Sequence, residues 1–167
     1  MLNCKNLNDL LTCSCEESKS IFVSQLTDEE VSFDSLSDFP ENNGLYFVFY
    51  NNQILYIGKA DKQSIKKRCN QYVNESSGAT LRKKVECVRK CGKQEAITFI
   101  KNNFKARFFV SKEVEKLPVL EEIAIWAFQP RLNAIKPTTF NYEKLQVNTQ
   151  RGSGLYFCTL TLVIPSE

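Results

Sequence analysis

Residues 44–60 read GLYFVFYNNQILYIGKA. Two apolar runs flank Asn51-Asn52, a pair that accepts the positive φ angles of a two-residue hairpin turn. The stretch therefore predicts an antiparallel hairpin with strands at 44–50 and 53–58. Each run sets a Tyr beside a Gly: Gly44-Leu45-Tyr46 opens the first, and Tyr56-Ile57-Gly58 closes the second. Antiparallel pairing brings Tyr46 to the far end of the partner strand, so both phenols can face one spot. Lys59 follows at once. Two phenols, two glycines and a lysine around one hairpin ask for a reason beyond β-structure.

Outward from the hairpin, the chain alternates between helix and strand signals. Short helices are expected at 5–13 and 27–37, the second opened by a Thr27-x-x-Glu30 capping box and ended by Asp38-Phe39-Pro40. After the hairpin comes a helix at 64–73, then a break at Ser76-Ser77-Gly78. Helices at 80–91 and 94–103 follow, with Gly92 as the stop between them. Residues 105–111 alternate as a third strand, 118–128 form a helix stopped by Pro130, and 154–164 read as a late strand. The tetrapeptide GLYF occurs at 44–47 and again at 154–157, but the second copy, with Tyr156, leads into CTLTLVIP and lacks a second Tyr, a Gly or a Lys.

A chain of 167 residues is one domain's length. No apolar run is long enough to span a bilayer, and MLNCKNLNDLL lacks the basic flank and apolar core of a signal peptide, so a cytoplasmic or nuclear location is expected. Seven irregularly spaced cysteines fit a reducing compartment better than a disulfide framework. Cys13-x-Cys15 and Cys87-x-x-x-Cys91 supply only halves of a zinc site, with no His to complete one. The absence of His also excludes Ser-His and Cys-His hydrolases, His-dependent metallonucleases and His general bases. Proton transfer here must use Tyr, Lys, Asp, Glu or Cys.

The net charge of +3 hides a split along the chain: residues 1–43 carry 2 basic and 9 acidic side chains, residues 59–107 carry 14 basic and 4 acidic. A single charge run is usually a solvated helix face. Fourteen positives beside a Tyr/Gly hairpin point to a phosphate-binding surface. Lys66, Lys67, Arg82, Lys83 and Lys84 are its expected backbone contacts.

Two helices carry the more informative residues. On the first, Ile65, Cys69, Tyr72 and Val73 make an apolar stripe, and Arg68 lies at its edge, one turn before Tyr72. A surface Arg beside a core Tyr is the plain reading of that pair. On the helix at 118–128, Glu121 falls among Leu117, Leu120, Ala124 and Phe128, while Glu122 points away with Trp126. A carboxylate on an apolar face needs a partner. Either a Lys or Arg pairs with it in the interior, or it holds a divalent metal, for which carboxylate oxygen suits Mg²⁺ or Mn²⁺.

With these residues in hand, the sequence resembles the GIY-YIG nucleases. The family's G-I-Y strand, its spacing of about ten residues and its Y-I-G strand are matched by GLY at 44–46 and YIG at 56–58. The family's Arg, followed four residues later by His or Tyr, is matched by Arg68 and Tyr72. Its metal-binding Glu, and the Asn twelve residues on after a Pro-containing turn, are matched in LEEIAIWAFQPRLN by Glu121, Pro130 and Asn133. Lys59 matches a Lys that follows Y-I-G in the excision-repair incision nucleases. Leu45 stands where the family has Ile, and the stretch from Gly58 to Arg68 is one or two residues longer than in the repair enzymes.

The resemblance implies an α+β fold, a small central antiparallel sheet made of the hairpin and a third strand, flanked by helices. It covers about 41–135, which would leave 1–40 as an acidic helical extension and 136–167 as a C-terminal extension with a late strand. It implies metal-dependent hydrolysis of DNA phosphodiesters, double-stranded DNA as partner, and one Mg²⁺ or Mn²⁺ on Glu121 as Lewis acid. Arg68 would stabilise the phosphorane, and Asn133 would anchor the metal-bearing helix or the phosphate. Tyr46 would act as base, favoured as phenolate by Lys59 and the metal, with Tyr56 and Tyr72 orienting. The glycines would let the backbone approach DNA. Palindromic sites would imply a homodimer. The alternatives are an inactive nucleic-acid-binding module on the same scaffold, which should lack the Glu or the Arg, and a protein-interaction role led by the acidic segment.

Overall fold

The computed structural model describes residues 13–74, 78–134, 145–149 and 158–162. The helix expected at 5–13 and the Tyr156 copy of GLYF lie outside them. Contacts divide the chain into two units, Met1–Pro137 and Thr138–Glu167. In the second, β5 (Leu145–Thr149) pairs antiparallel with β6 (Cys158–Leu162), Leu145 opposite Leu162. Strand β6 falls within the expected late strand; its partner β5 is an addition.

The first unit is built on the hairpin. Strands β2 (Gly44–Tyr50) and β3 (Gln53–Ala60) are joined by Asn51 and Asn52 at φ 48° and 60°, the left-handed pair that a type I′ turn requires. Strand β4 (Lys105–Val110) pairs with the other side of β2, and β1 (Val31–Ser32) pairs with β4. The order is β1-β4-β2-β3, all antiparallel, so β3 is an edge strand. A bulge between Val48 and Phe49 leaves Leu55 unpaired, just before Tyr56.

Helices cover both faces. Alternation sends Tyr46, Val48, Tyr56, Ala106 and Phe108 to one core, packed by α2 (Ile65–Val73), α3 (Thr80–Arg89) and α4 (Lys93–Asn103). Leu45, Phe47, Phe49, Ile57 and Phe109 enter the other, with α1 (Cys15–Val23) and α5 (Leu117–Phe128). A short helix, α6 (Arg131–Ala134), follows Pro130. The outcome is the expected α+β architecture. No helix among the described residues is long and apolar enough to cross a membrane.

The acidic N-terminal segment departs from its reading. Residues 27–37 do not form a helix. They hold β1 and a single 3₁₀ turn, Leu36–Asp38. Thr27 is drawn into the sheet instead: its N–H donates to Phe108 O at 2.9 Å, and its Oγ1 accepts from Phe108 N at 3.1 Å. The capping box is one step earlier in the chain, where Ser14 and Glu17 satisfy each other's backbone N–H and start α1. That helix drives Phe22 fully into the second core, against the rings of Phe47, Phe109 and Phe128.

Candidate active site

The site straddles the edge of the sheet at β3. Because Tyr56, Ile57, Gly58 and Lys59 alternate, Tyr56 and Gly58 share the face of α2 while Lys59 turns to the face of α5. Tyr46 stands opposite Gly58 in the ladder, and its ring lies across it. A Cβ on Gly58 would sit 2.3 Å from Tyr46 Oη. At the other end, a Cβ on Gly44 would sit 2.1 Å from the carbonyl oxygen of Phe109. Both glycines are buried. They make room for a ring and a neighbouring strand, not for an approach of DNA to the backbone.

Helix α2 starts from a Ser64 cap, whose hydroxyl accepts from Lys67 N, and its apolar stripe brings Tyr72 under the hairpin. The three phenols then form one cluster, with ring centroids 6.1 Å (Tyr46–Tyr72), 6.3 Å (Tyr46–Tyr56) and 6.5 Å (Tyr56–Tyr72) apart. The hydroxyls of Tyr46 and Tyr72 share a hydrogen bond of 2.5 Å. Arg68, half-buried, packs its guanidinium 5.4 Å from the Tyr72 ring centre. Its Nη1 donates to Gln71 Oε1 at 2.8 Å, and Gln71 in turn donates to Gln63. Gln63 lies in the stretch between Gly58 and Arg68, and through Gln71 it helps to hold the arginine. Motif reading offered no sign of this pair of glutamines.

Burial dominates the phenols. It pushes Tyr46 well above its ordinary pKa, and the phenols of Tyr72 and Tyr56 push the same way. Burial also raises Tyr72 strongly, with Tyr56 adding to it. Tyr56 is raised too, by burial first, but the Tyr72 hydroxyl and Arg68 act to lower it. The expected Lys59-assisted phenolate at Tyr46 therefore meets an obstacle: Tyr46 is enclosed and its hydroxyl is spent on Tyr72. Tyr56 is the less enclosed of the pair.

On the far side of the edge strand, helix phase places Glu121 inward and Glu122 in solvent with Trp126. Lys59 Nζ donates to Glu121 Oε2 at 2.8 Å, with side-chain exposures of 30% and 18%. That bond holds Lys59 above its ordinary pKa, so it is an ammonium at neutral pH. Glu121 Oε1 has no hydrogen-bond partner among the described residues. Asn133 uses both ends of its amide on one residue: Nδ2 donates to Ile57 O and Oδ1 accepts from Ile57 N, each at 2.8 Å. Of the two roles open to Asn133, the geometry is that of an anchor, tying the segment after α5 to β3.

The expected phosphate contacts divide. Lys67 and Lys83 are exposed, and Lys66 is half-buried in an ion pair with Glu41 at 2.9 Å. Lys66 and Lys67 line an open groove of about 540 Å³ with Glu41, Lys62, Gln63 and Ser64. Arg82 and Lys84 are turned inward. Arg82 pairs with Glu86 at 3.0 Å and donates to Asn74 O, so its guanidinium is committed within the fold. Lys84 Nζ donates to Leu132 O at 2.7 Å and Asn133 O at 3.2 Å. Neither can serve as a surface phosphate contact in this arrangement.

The chain is similar to the UvrABC system protein C of Rickettsia bellii, 30% identical over 127 residues, which is 74% of this chain and 17% of that protein. The chain thus spans only a minor part of that relative. Among solved structures it is similar to the GIY-YIG N-terminal endonuclease domain of UvrC from Thermotoga maritima, bound to its catalytic magnesium. That match has 21% identity and a TM-score of 0.41, covering 59% of this chain and 91% of the other. Residues 23–150 match the GIY-YIG catalytic domain, and with most of its length inside that match the chain belongs to the GIY-YIG nuclease family.

Proposed function

We propose that this chain is a DNA endonuclease that hydrolyses phosphodiester bonds with one divalent cation, Mg²⁺ or Mn²⁺, held at Glu121. The observation that carries the reading is the convergence at one sheet edge of Tyr56, Lys59, Arg68 and Glu121 from three different elements. The donor set suits such an ion. Glu121 is a partly buried carboxylate with one oxygen open and a cation, Lys59, already on the other. Mg²⁺ keeps several waters and is commonly bound by one or two carboxylates together with substrate phosphates. When bound, the cation supplies Lewis acidity to the phosphate and the leaving oxygen.

The side chains would do the rest. Arg68, fixed by Gln71, directs its charge at the phosphate and stabilises the negative charge that builds in the transition state. Tyr56, once it has released its own proton to solvent, would take the proton of the attacking water as the phenolate. Its slightly greater exposure favours it for this step over Tyr46, whose ring is fully enclosed and whose hydroxyl is hydrogen-bonded to Tyr72. Tyr46 and Tyr72, bonded to each other, form the rigid wall against which Tyr56 and Arg68 are set. Lys59 orients Glu121 through its 2.8 Å hydrogen bond to Oε2. Lys66, Lys67 and Lys83 lie where backbone phosphate would be met from outside, and DNA is the partner their charge fits. The cytoplasm or nucleus is the compartment where such a partner is found.

The test is incubation with plasmid, branched and single-stranded DNA, with Mg²⁺ or Mn²⁺ and with EDTA, the ends being mapped. Cation-dependent cleavage leaving a 5′ phosphate supports the reading. Salt-dependent DNA binding without cleavage under any of these conditions would replace it with the inactive binding module.

A further inference from the structure

Lys84, like Arg82, is an interior cation that this mechanism has not used. Its residue is 7% exposed, on the same face of α3 as Leu81 and Val85. Lysines are seldom buried without a carboxylate, yet among the described residues no carboxylate is in ion-pair contact with Lys84. Its ammonium holds two backbone carbonyls, at Leu132 and Asn133, and stands 5.3 Å from the ring centre of Tyr56. Burial lowers its pKa and the charge of Glu121 works to raise it, so Lys84 sits within the electrostatic reach of the carboxylate.

Resting on the nuclease reading above, we propose that Lys84 is a positioning residue of this active site. From inside the fold it fixes the Asn133 clamp on β3 and sets the face of Tyr56 over a fixed positive charge. Each contact leads to the chemistry by one step. Asn133 binds both backbone groups of Ile57, between Tyr56 and Gly58, so the carbonyl that Lys84 holds belongs to the residue that fixes the register of the edge strand. The second contact acts on the protonation state of the base. A cation over a phenol ring is attracted to it, and more strongly to the phenolate. Tyr56 accepts the water's proton only after giving up its own, so a cation that favours the phenolate raises the fraction of sites ready to react. A neutral donor could satisfy the two carbonyls equally well, but only a cation does both.

The experiment compares Lys84→Met, Lys84→Gln and Lys84→Arg in the full chain. Single-turnover cleavage at saturating DNA, DNA affinity against salt, and near-UV circular dichroism are measured for each. The expected result is a loss of about 10–100-fold in rate for Met and Gln, with DNA affinity and its salt slope unchanged, and recovery of most of the rate in Arg. Three results would overturn the proposal. One is a folded Met or Gln variant that cleaves like the parent. Another is a loss residing in affinity with a smaller salt slope, which would make Lys84 a phosphate contact. The third is recovery by Gln as full as by Arg, which would reduce Lys84 to a carbonyl donor. If Met does not fold, the comparison of Gln with Arg decides, because both keep a donor and only Arg keeps the charge. A parent that cleaves no substrate removes the nuclease reading and this inference together, whereas a cleaving parent with indifferent Lys84 variants removes this inference alone.

Discussion

Replacing Gly58 by Ala is the most direct probe of how the hairpin serves the site. The backbone at Gly58 lies outside the left-handed region, so an Ala there carries no conformational strain. On the unfolded side the change gains about 0.4–1 kcal/mol. The whole penalty comes from one contact: the new Cβ would stand 2.3 Å from Tyr46 Oη, 2.5 Å from Cζ and 2.8 Å from Cε2. Ordinary contact begins at 3.4 Å, so the ring must retreat by roughly 1 Å. It cannot do so alone, because its hydroxyl is bonded to Tyr72 and its ring is fully enclosed. Overpacking of this kind costs about 1–3 kcal/mol, and a misplacement of ~1 Å at an active site costs on the order of 10²-fold in rate. Gly58→Ala should therefore lose about 10²-fold in single-turnover cleavage while urea unfolding shows a net loss of no more than about 2.5 kcal/mol.

Gly44 supplies the control with the opposite balance. There the Cβ would meet a backbone carbonyl, Phe109 O, at 2.1 Å, in the strand that pairs with β2. No side chain can turn aside, so Gly44→Ala should destabilise the fold more than Gly58→Ala. If Gly58→Ala matched the parent in both stability and rate, the ring would not lie over Gly58 and the explanation of the glycine would fail. A loss confined to DNA affinity would instead return Gly58 to the role of letting DNA approach.

Three further outcomes follow from the same geometry. Glu121→Gln should abolish cation-dependent cleavage with DNA binding retained, while Glu122→Gln, exposed on the other side of α5, should cleave like the parent; exchange of these behaviours would refute the helix phase. Neutralising Lys66, Lys67 or Lys83 should each lower the log–log salt slope of DNA binding by roughly one, and an unchanged slope in all three would move the DNA surface elsewhere. The raised pKa values of Tyr46, Tyr56 and Tyr72 mean that the folded chain keeps protons which the unfolded chain releases near pH ~10. The stability they contribute is complete below that pH and is lost above it, by about 1.4 kcal/mol per pH unit for each phenol. Urea midpoints between pH 8 and 11 read this directly, and a slope that Tyr46→Phe leaves unchanged would contradict it.

Local rules found what local physics controls. The hairpin was legible because Asn51-Asn52 can adopt the turn and the runs on either side alternate correctly. The inward phase of Glu121 followed from spacing alone. The segment 27–37 was not legible, because Thr27 has two competing uses and the sheet prevails: Phe108, 81 residues away, offers both a donor and an acceptor. A two-residue strand such as β1 leaves no periodic trace at all. Helix α1 did carry a signal, Ser14 and Glu17 in capping-box spacing, in a stretch outside the residues that the family resemblance covers. Lys84 is the more instructive case. It lies three residues after Leu81 and just before Val85, on the buried face of α3. The spacing argument applied to Glu121 applies equally there, but the density of positive charge in the region pointed outward and hid it.

The edge of the sheet is what unites these parts. An exposed edge strand offers unpaired N–H and C=O groups to any passing strand, and proteins commonly blunt it with a charge, a bulge or a covering loop. Here β3 has the bulge at Leu55, the charge at Lys59 and the cover from Asn133, whose amide takes both backbone groups of Ile57. The features that protect the edge are also those that build the site. The bulge precedes Tyr56, the charge meets Glu121, and the cover ties the segment after α5 to the strand. An edge strand has a further advantage for chemistry: side chains from its two faces lie close to one another around its open side. Tyr56 belongs to the core under α2 and Lys59 to the face of α5, and in a central strand the sheet itself would separate them. At the edge no neighbouring strand stands between them, as the proposed nuclease reading requires. The hairpin therefore needs its phenols and glycines on one face and its lysine on the other, and the strand order β1-β4-β2-β3 makes that division useful.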